Sequence, residues 1–407
     1  MPRNDILITF DSHTPYLAYR VSALQREIKR RNLQDQLHIR VLLLSSHDPN
    51  YSWQQNDLEA AYGGTPVTIL TEKFHGLGFK SYLTPLALKT VWYTLVDILT
   101  NKPKIAFVGG YDRPSSLLIA LLGRLLFFKT GPMHDSRFND AESYSKSLFM
   151  ELAKAPFMRL YHFFMCSGQE CVDYTRFLAG HKRPAQFGGW NILDNDSIAQ
   201  RADDSSRDSE LRAALSLENN EDFFFMPVRF IEKKNIPLVI AAYQNALSTN
   251  PHLPRLAIAG KGPLREEVAA HLKESGLDSK VTLVNWLPYE LIPRACKLSS
   301  AVLLASTHDQ WGLTINEALA AGAPVLVSNR CGAHELVQNN LNGFTFSPDN
   351  QAHLTQLFSQ LGSQPELLAS LRSHARQSMS SFSEKQFLAA WFAIFQMCGM
   401  VPPIPEA

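Results

Sequence analysis

The chain has 407 residues, 45% hydrophobic and 19% charged, a globular mixture too long for one ordinary domain and apolar enough for two cores. Thirty-nine basic against 38 acidic side chains leave a formal net charge of +1, so charge gives no reason to expect nucleic acid or another polyanion as partner. Five scattered cysteines, at 166, 171, 296, 331 and 398, include no Cys-x-x-Cys, so the spacing suggests neither a zinc site nor a disulfide frame; reduced thiols in a cytoplasmic protein are expected.

The N-terminus has too short an apolar run, flanked by acids, for a signal peptide. Ile6–Phe10 reads as a strand and is followed by a polar loop, Asp11-Ser-His13-Thr14-Pro15. Thr14 suits an N-cap and Pro15 a first helical position, and a helical pattern runs on to Arg31. Strands are expected at Arg40–Leu44 and Ile105–Val108, the second ending in Gly109-Gly110, and a helix at Ser115–Phe128. Within that helix lies the longest apolar stretch, Leu117–Phe128, which is broken by Arg124 and falls short of the roughly 20 residues that span a bilayer. A short strand is read at Leu125–Lys129, ahead of Gly131-Pro-Met-His134-Asp-Ser-Arg137. Residues 195–220 are polar and charged and read as a linker.

Alternation then restarts, with strands at Phe223–Val228, Leu256–Ala259, Val281–Val284, Ala301–Ala305 and Val325–Ser328. Helices are read at Ile236–Leu247, Leu264–Ser275 and Thr314–Ala321, with an aromatic-rich helix at Ser383–Met400. Strand–helix alternation of this kind predicts parallel α/β sheets, which bind ligands at the carboxyl ends of their strands.

Three segments carry chemistry. In Ser306-Thr-His-Asp309-Gln-Trp-Gly312-Leu313-Thr314-Ile-Asn-Glu317 two carboxylates flank a Trp-Gly-Leu turn that opens a helix. A helix start offers backbone amides and a positive dipole end to a pyrophosphate, and a carboxylate one turn in can accept from sugar hydroxyls. Thr314-x-x-Glu317 also reads as a capping box, and both readings stand. Arg229 and Lys234 lie in a loop between a strand and a helix start, where Asn235 fits the N-cap, and suit a phosphate; Lys233 reads as solvated. Gly260-Lys-Gly262-Pro263 also joins a strand to a helix, but Arg265 stands where a dinucleotide fingerprint needs a third glycine, which argues against NAD. Trp286, after a strand, reads equally as a stacking platform or as core.

These segments resemble the retaining family 4 glycosyltransferases of GT-B fold (glycosyl transferases group 1). The similarity is motif-level over residues 220–350, and Asp309 stands where the family's first Glu is usual. The resemblance implies two Rossmann-like domains facing a central cleft. Residues 1–190 with a crossing helix, 383–407, would form the acceptor-binding domain, and 191–382 the donor-binding domain. It implies hexosyl transfer from a nucleotide-sugar to a hydroxyl on a glycan or lipid-linked acceptor, with retention and without a metal or cofactor. Catalytic roles fall on Arg229, Lys234, Asp309, Glu317 and His134, and donor contacts on Gly260, Gly262, Trp286, Gly312, Leu313 and Thr314. Tyr111-Asp112-Arg113 is an acceptor-side candidate, and Ser167 and Gly168 would face ligand. By the same resemblance, Arg20, Arg26, Lys29, Arg30 and Arg31 on the first helix form either a solvated face or a peripheral contact with anionic membrane. Two alternatives are a nucleotide-sugar-binding protein without transfer and an epimerase of the same fold.

Overall fold

Two parallel sheets organise the chain. The structure, a computed structural model, describes residues 4–45, 58–70, 85–138, 152–180, 185–218 and 221–402, so residues 1–3 and the 403–407 end assigned to the crossing helix lie outside the described residues. The contacts separate two units. One takes the described residues of 1–137, 145–193 and 384–407; the other takes 194–383 together with Phe138.

The first unit has a seven-stranded sheet in the order β3-β2-β1-β4-β5-β6-β7. Its strands are β1 Asn4–Phe10, β2 Leu37–Leu43, β3 Val67–Ile69, β4 Ile105–Gly109, β5 Lys129–His134, β6 Phe164–Cys166 and β7 Ala185–Phe187. Its longer helices are α1 Pro15–Arg30, α2 Pro85–Thr100, α3 Pro114–Leu125 and α4 Gln169–Ala179. Central strands are apolar throughout because both faces are covered, and alternate residues serve opposite layers. Ile6, Ile8 and Phe107 pack into one core with Leu24 of α1 and with Trp391 and Phe395. Leu7, Ala106 and Val108 pack into the other with Ile119 and Tyr174.

The second unit has a six-stranded sheet in the order β10-β9-β8-β11-β12-β13. Its strands are β8 Phe223–Pro227, β9 Arg255–Ala259, β10 Val281–Val284, β11 Ala301–Leu304, β12 Val325–Ser328 and β13 Gly343–Phe346. Its longer helices are α5 Asn195–Asp203, α6 Asp208–Ala214, α7 Ile236–Thr249, α8 Arg265–Glu274, α9 Ile292–Leu298, α10 Leu313–Ala321, α11 Gln351–Ser363 and α12 Pro365–Ser378. The last helix, α13 Glu384–Met397, belongs to the first unit, where Trp391 stacks on Phe107 at 3.9 Å between centroids.

Several expectations are corrected. The stretch read as a linker folds into α5 and α6: the Asp194 carboxylate accepts from the Ser197 amide at 3.0 Å, and Ile198, Ala202 and Leu211 are buried. The strand read at Leu125–Lys129 begins only at Lys129. Leu125 ends α3, and Gly131-Pro132 pairs with Phe107 and Val108 despite its turn-like composition, because β5 is held between β4 and β6. On α1, by contrast, Arg26, Lys29 and Arg30 are exposed, as the solvated reading expects. Arg30 and Arg31 pair with Glu27, Arg26 pairs with Glu384, and buried Arg20 donates to the Ile192 carbonyl at 3.1 Å.

The exposed apolar surface lies elsewhere in this unit. Leu88, Trp92, Val96 and Leu99 stand out along α2, with Leu121 and Leu125 on α3 and Phe127 92% exposed just beyond it. Among the described residues no helix is long and apolar enough to cross a membrane.

Candidate functional site

The charged motif residues of the second unit gather at the carboxyl ends of β8 and β11. Beyond β8 the chain is locked to its neighbour by backbone hydrogen bonds, from Val228 N–H to the Ala259 carbonyl at 3.0 Å and from Phe230 N–H to Lys261 at 2.9 Å. The two glycines of Gly260-Lys-Gly262 make that approach possible. Both have φ near +150°, and a Cβ on Gly260 would lie 1.9 Å from the Val228 carbonyl oxygen, one on Gly262 2.4 Å from that of Phe230. The glycines therefore answer a packing need inside the protein and hold the Arg229 loop in place.

The following turn, Glu232–Lys234, ends at Asn235, whose φ of 54° is left-handed. Asn235 occupies the expected N-cap position of α7, but its side chain donates to the Pro348 carbonyl at 3.0 Å instead of capping. Lys234 is thereby aimed at Asp309, and the two form an ion pair with side chains only 13% and 16% exposed. Ser306 Oγ donates to the same carboxylate at 3.3 Å. Lys233, read from sequence as solvated, also belongs here: its Nζ lies 3.9 Å from Asp309 and its carbonyl accepts from the Thr307 amide at 2.8 Å. Burial pushes the Asp309 pKa up, but the charges of Lys234 and Lys233 and the hydrogen bonds from Lys234 and Ser306 outweigh it and hold the carboxyl below its ordinary value.

Helix α10 removes one of the two readings of the Thr314–Glu317 pair, the capping box. Its N-cap is Gly312, left-handed at φ 100°, with no side-chain cap, and Thr314 lies inside the first turn. A capping box needs Thr at the N-cap, so none forms. Glu317 is instead buried, 7% exposed, near Tyr289 and Cys296. Burial, and then the Glu317 carboxylate, raise the Tyr289 pKa. Tyr289 carries no sequence signal, since the fold alone brings it to Glu317, whereas Ser306 lies three residues before Asp309. Trp286 is 58% exposed, with Lys261 Nζ 5.4 Å from its ring centroid, so the core reading fails. Asp194-Asn195-Asp196, an Asp-x-Asp that could have suggested a metal, is the capped start of α5.

The first-unit candidates are placed differently. His134 ends β5, buried, with Nε2 3.1 Å from Thr175 Oγ1 and its ring against Tyr111. This is a buried histidine whose ring is engaged by Thr175 and Tyr111. Asp135 accepts from Trp190 Nε1 at 2.8 Å and Asn191 Nδ2 at 3.0 Å, and burial raises its pKa. Tyr111 and Ser167 are buried, Arg113 pairs with Asp11, and Gly168 caps α4.

Residues 207–378 match the family described as glycosyl transferases group 1. An uncharacterized glycosyltransferase of Methanocaldococcus jannaschii is 27% identical over 139 residues, 34% of this chain and 35% of that protein. Alpha-D-kanosaminyltransferase of Streptomyces kanamyceticus is 25% identical over 166 residues, 41% of this chain and 42% of that protein. The chain thus matches well under half the length of these curated relatives. The crystal structure of Anabaena HepE in complex with UDP and glucose superposes with a TM-score of 0.72 at 17% identity, covering 97% of this chain and 100% of that one. The chain accordingly has the GT-B fold, and the part of it that carries Arg229, Lys234, Asp309 and Glu317 matches the glycosyl transferases group 1.

Proposed function

We propose that the protein is a retaining, family 4 hexosyltransferase that moves a sugar from a nucleoside-diphosphate donor to a hydroxyl acceptor. The observation that carries this reading is the Lys234–Asp309 ion pair, which ties the basic loop after β8 to the acidic loop before α10. A departing diphosphate needs cations in place before charge develops. Arg229 and Lys234 supply them, and the first-turn amides of Leu313 and Thr314, beside Gly312, add a dipole end. Asp309 and Glu317 accept from hydroxyls of the donor, Trp286 stacks on its base, and Gly260 and Gly262 shape the floor. With protein cations in this role, the transfer step needs no metal or cofactor. Retention follows from same-face attack, in which a diphosphate oxygen takes the acceptor's proton and no protein nucleophile is used.

The acceptor is a glycan or a lipid-linked glycan. For a lipid-linked acceptor we assign membrane contact to the apolar face of α2 and α3, where Trp92 and Phe127 are exposed and Lys89 and Lys129 flank them for anionic headgroups. Vesicles of anionic lipid should retain the wild type and release a Trp92→Glu, Phe127→Glu variant; equal retention overturns this assignment.

Thermal unfolding against a panel of nucleoside diphosphates tests the donor site. A ligand at 100 times its dissociation constant stabilises by roughly 2.7 kcal/mol. One diphosphate should stabilise, insensitive to EDTA, and lose its effect in Arg229→Ala and Glu317→Ala. No shift with any nucleotide, or a shift with NAD alone, sinks the assignment. NMR of the anomeric proton in the product tests retention. The engagement of Lys234 by the shorter Asp309 also fits a nucleotide-sugar-binding protein without transfer, or an epimerase. Binding without sugar turnover, or a sugar epimer formed without acceptor, would select one of those.

A further inference from the structure

Three strand and helix ends of the first unit bring soft ligands to one point. His134 ends β5, Cys166 ends β6, and Cys171 stands in the first turn of α4. All three are buried, and one ligand atom from each lies within 4.8 Å of the others. We propose that His134, Cys166 and Cys171 bind a thiophilic d10 cation, zinc or copper(I), as a structural centre of this unit.

The geometry favours a metal over a chance meeting of core side chains. Zinc at about 2.3 Å from sulfur and about 2.0–2.1 Å from nitrogen, in tetrahedral array, holds the two ligands about 3.6 Å apart. Cys171 Sγ lies 3.6 Å from His134 Nδ1 and 3.9 Å from Nε2, beside the ring. Nε2 also lies 3.1 Å from Thr175 Oγ1, a hydrogen-bond partner for that nitrogen when Nδ1 is the ligand. A ligating histidine is ordinarily oriented in this way by a partner on its second nitrogen. Without metal, the Cys171 thiol lies 3.3 Å from the His134 carbonyl, to which it donates. Binding forms two metal–sulfur bonds and one metal–nitrogen bond and releases two thiol protons to solvent, with no change of oxidation state. Because the ligands are buried, the ion is taken up as the chain folds. The centre is independent of the proposed transferase reaction.

The test is the metal content of the full chain, expressed with zinc or copper supplement and purified without chelator. Elemental analysis should find about one equivalent of one of the two metals. Cys398→Ser should keep it, and Cys166→Ser/Cys171→Ser should reduce it to trace. Because the double variant can fail to fold, wild-type protein is also titrated with a mercurial in the presence of a chromogenic chelator. The ion should appear as the thiols are consumed, with peptide mapping locating the modification at Cys166 and Cys171. Protein that carries only trace metal, and retains none after refolding with either ion and desalting, overturns the proposal. So does metal that stays bound in a folded double variant, or after both thiols are modified.

Discussion

At the carboxyl ends of β8 and β11, Arg229, Lys233, Lys234 and Asp309 stand on loops that reach outward from a buried sheet, while at the corresponding ends of β5 and β6, His134, Asp135 and Ser167 are buried under their neighbours. The same strand–loop–helix pattern thus presents charge in one unit and absorbs polar groups in the other. The difference lies in how the loops are held. Backbone hydrogen bonds and two cramped glycines fix the Arg229 loop of the second unit, leaving Lys234 and Asp309 to pair with each other. In the first unit the side chains themselves do the holding, through Trp190, Asn191 and Thr175.

The sharpest test of that contrast is to remove charge from the second unit. Arg229→Ala or Lys234→Ala should lower kcat by about 10²–10³ while the protein stays folded, as loss of one preorganised stabilising group does elsewhere. A loss of folding with kcat per folded molecule unchanged would erase the distinction. Gly262→Ala should come next, destabilising by on the order of 1–3 kcal/mol or more from backbone strain, read by urea unfolding. Asp135→Ala in the first unit should cost about 1–3 kcal/mol, because it strands the buried donors of Trp190 and Asn191; the readout is Tm. If its main effect were instead on kcat with Tm intact, Asp135 would belong to the chemistry. Acid should act on the ion pair at Asp309. A carboxyl held below its ordinary value contributes stability that is present above the ordinary carboxylate range and lost as pH falls through the depressed value. The acid limb of wild-type stability should therefore be steeper than that of Asp309→Asn. The smallest effect is expected at Glu384→Gln, which breaks a surface pair with Arg26 and should change stability by about 0–1 kcal/mol.

Much of the second unit is legible in its sequence because its signals are local. Phe223–Met226 and Ala301–Leu304 read as strands buried on both faces, and Gly312 marks the start of α10 within a residue of the reading. The charged residues of the site sit within a few positions of these marks. What eluded the sequence is what depends on distance along the chain. Thr314-x-x-Glu317 satisfies a capping pattern that the left-handed Gly312 displaces. Trp286 has the composition of core but follows a strand at the surface. The spacing of 134, 166 and 171 matches no metal motif, because adjacent parallel strands, not a loop, bring those residues together. On α1 the cations look unpaired until Glu27 and Glu384 are seen beside them.

The packing of α13 sets an order of assembly. Its Trp391 and Phe395 complete the core of a sheet whose first strand begins at Asn4, whereas every described strand of the other sheet lies between Phe223 and Phe346. During synthesis all the described strands of the second unit are therefore made before α13 of the first unit. Until α13 is made, Phe107 lacks the Trp391 and Phe395 rings that pack against it.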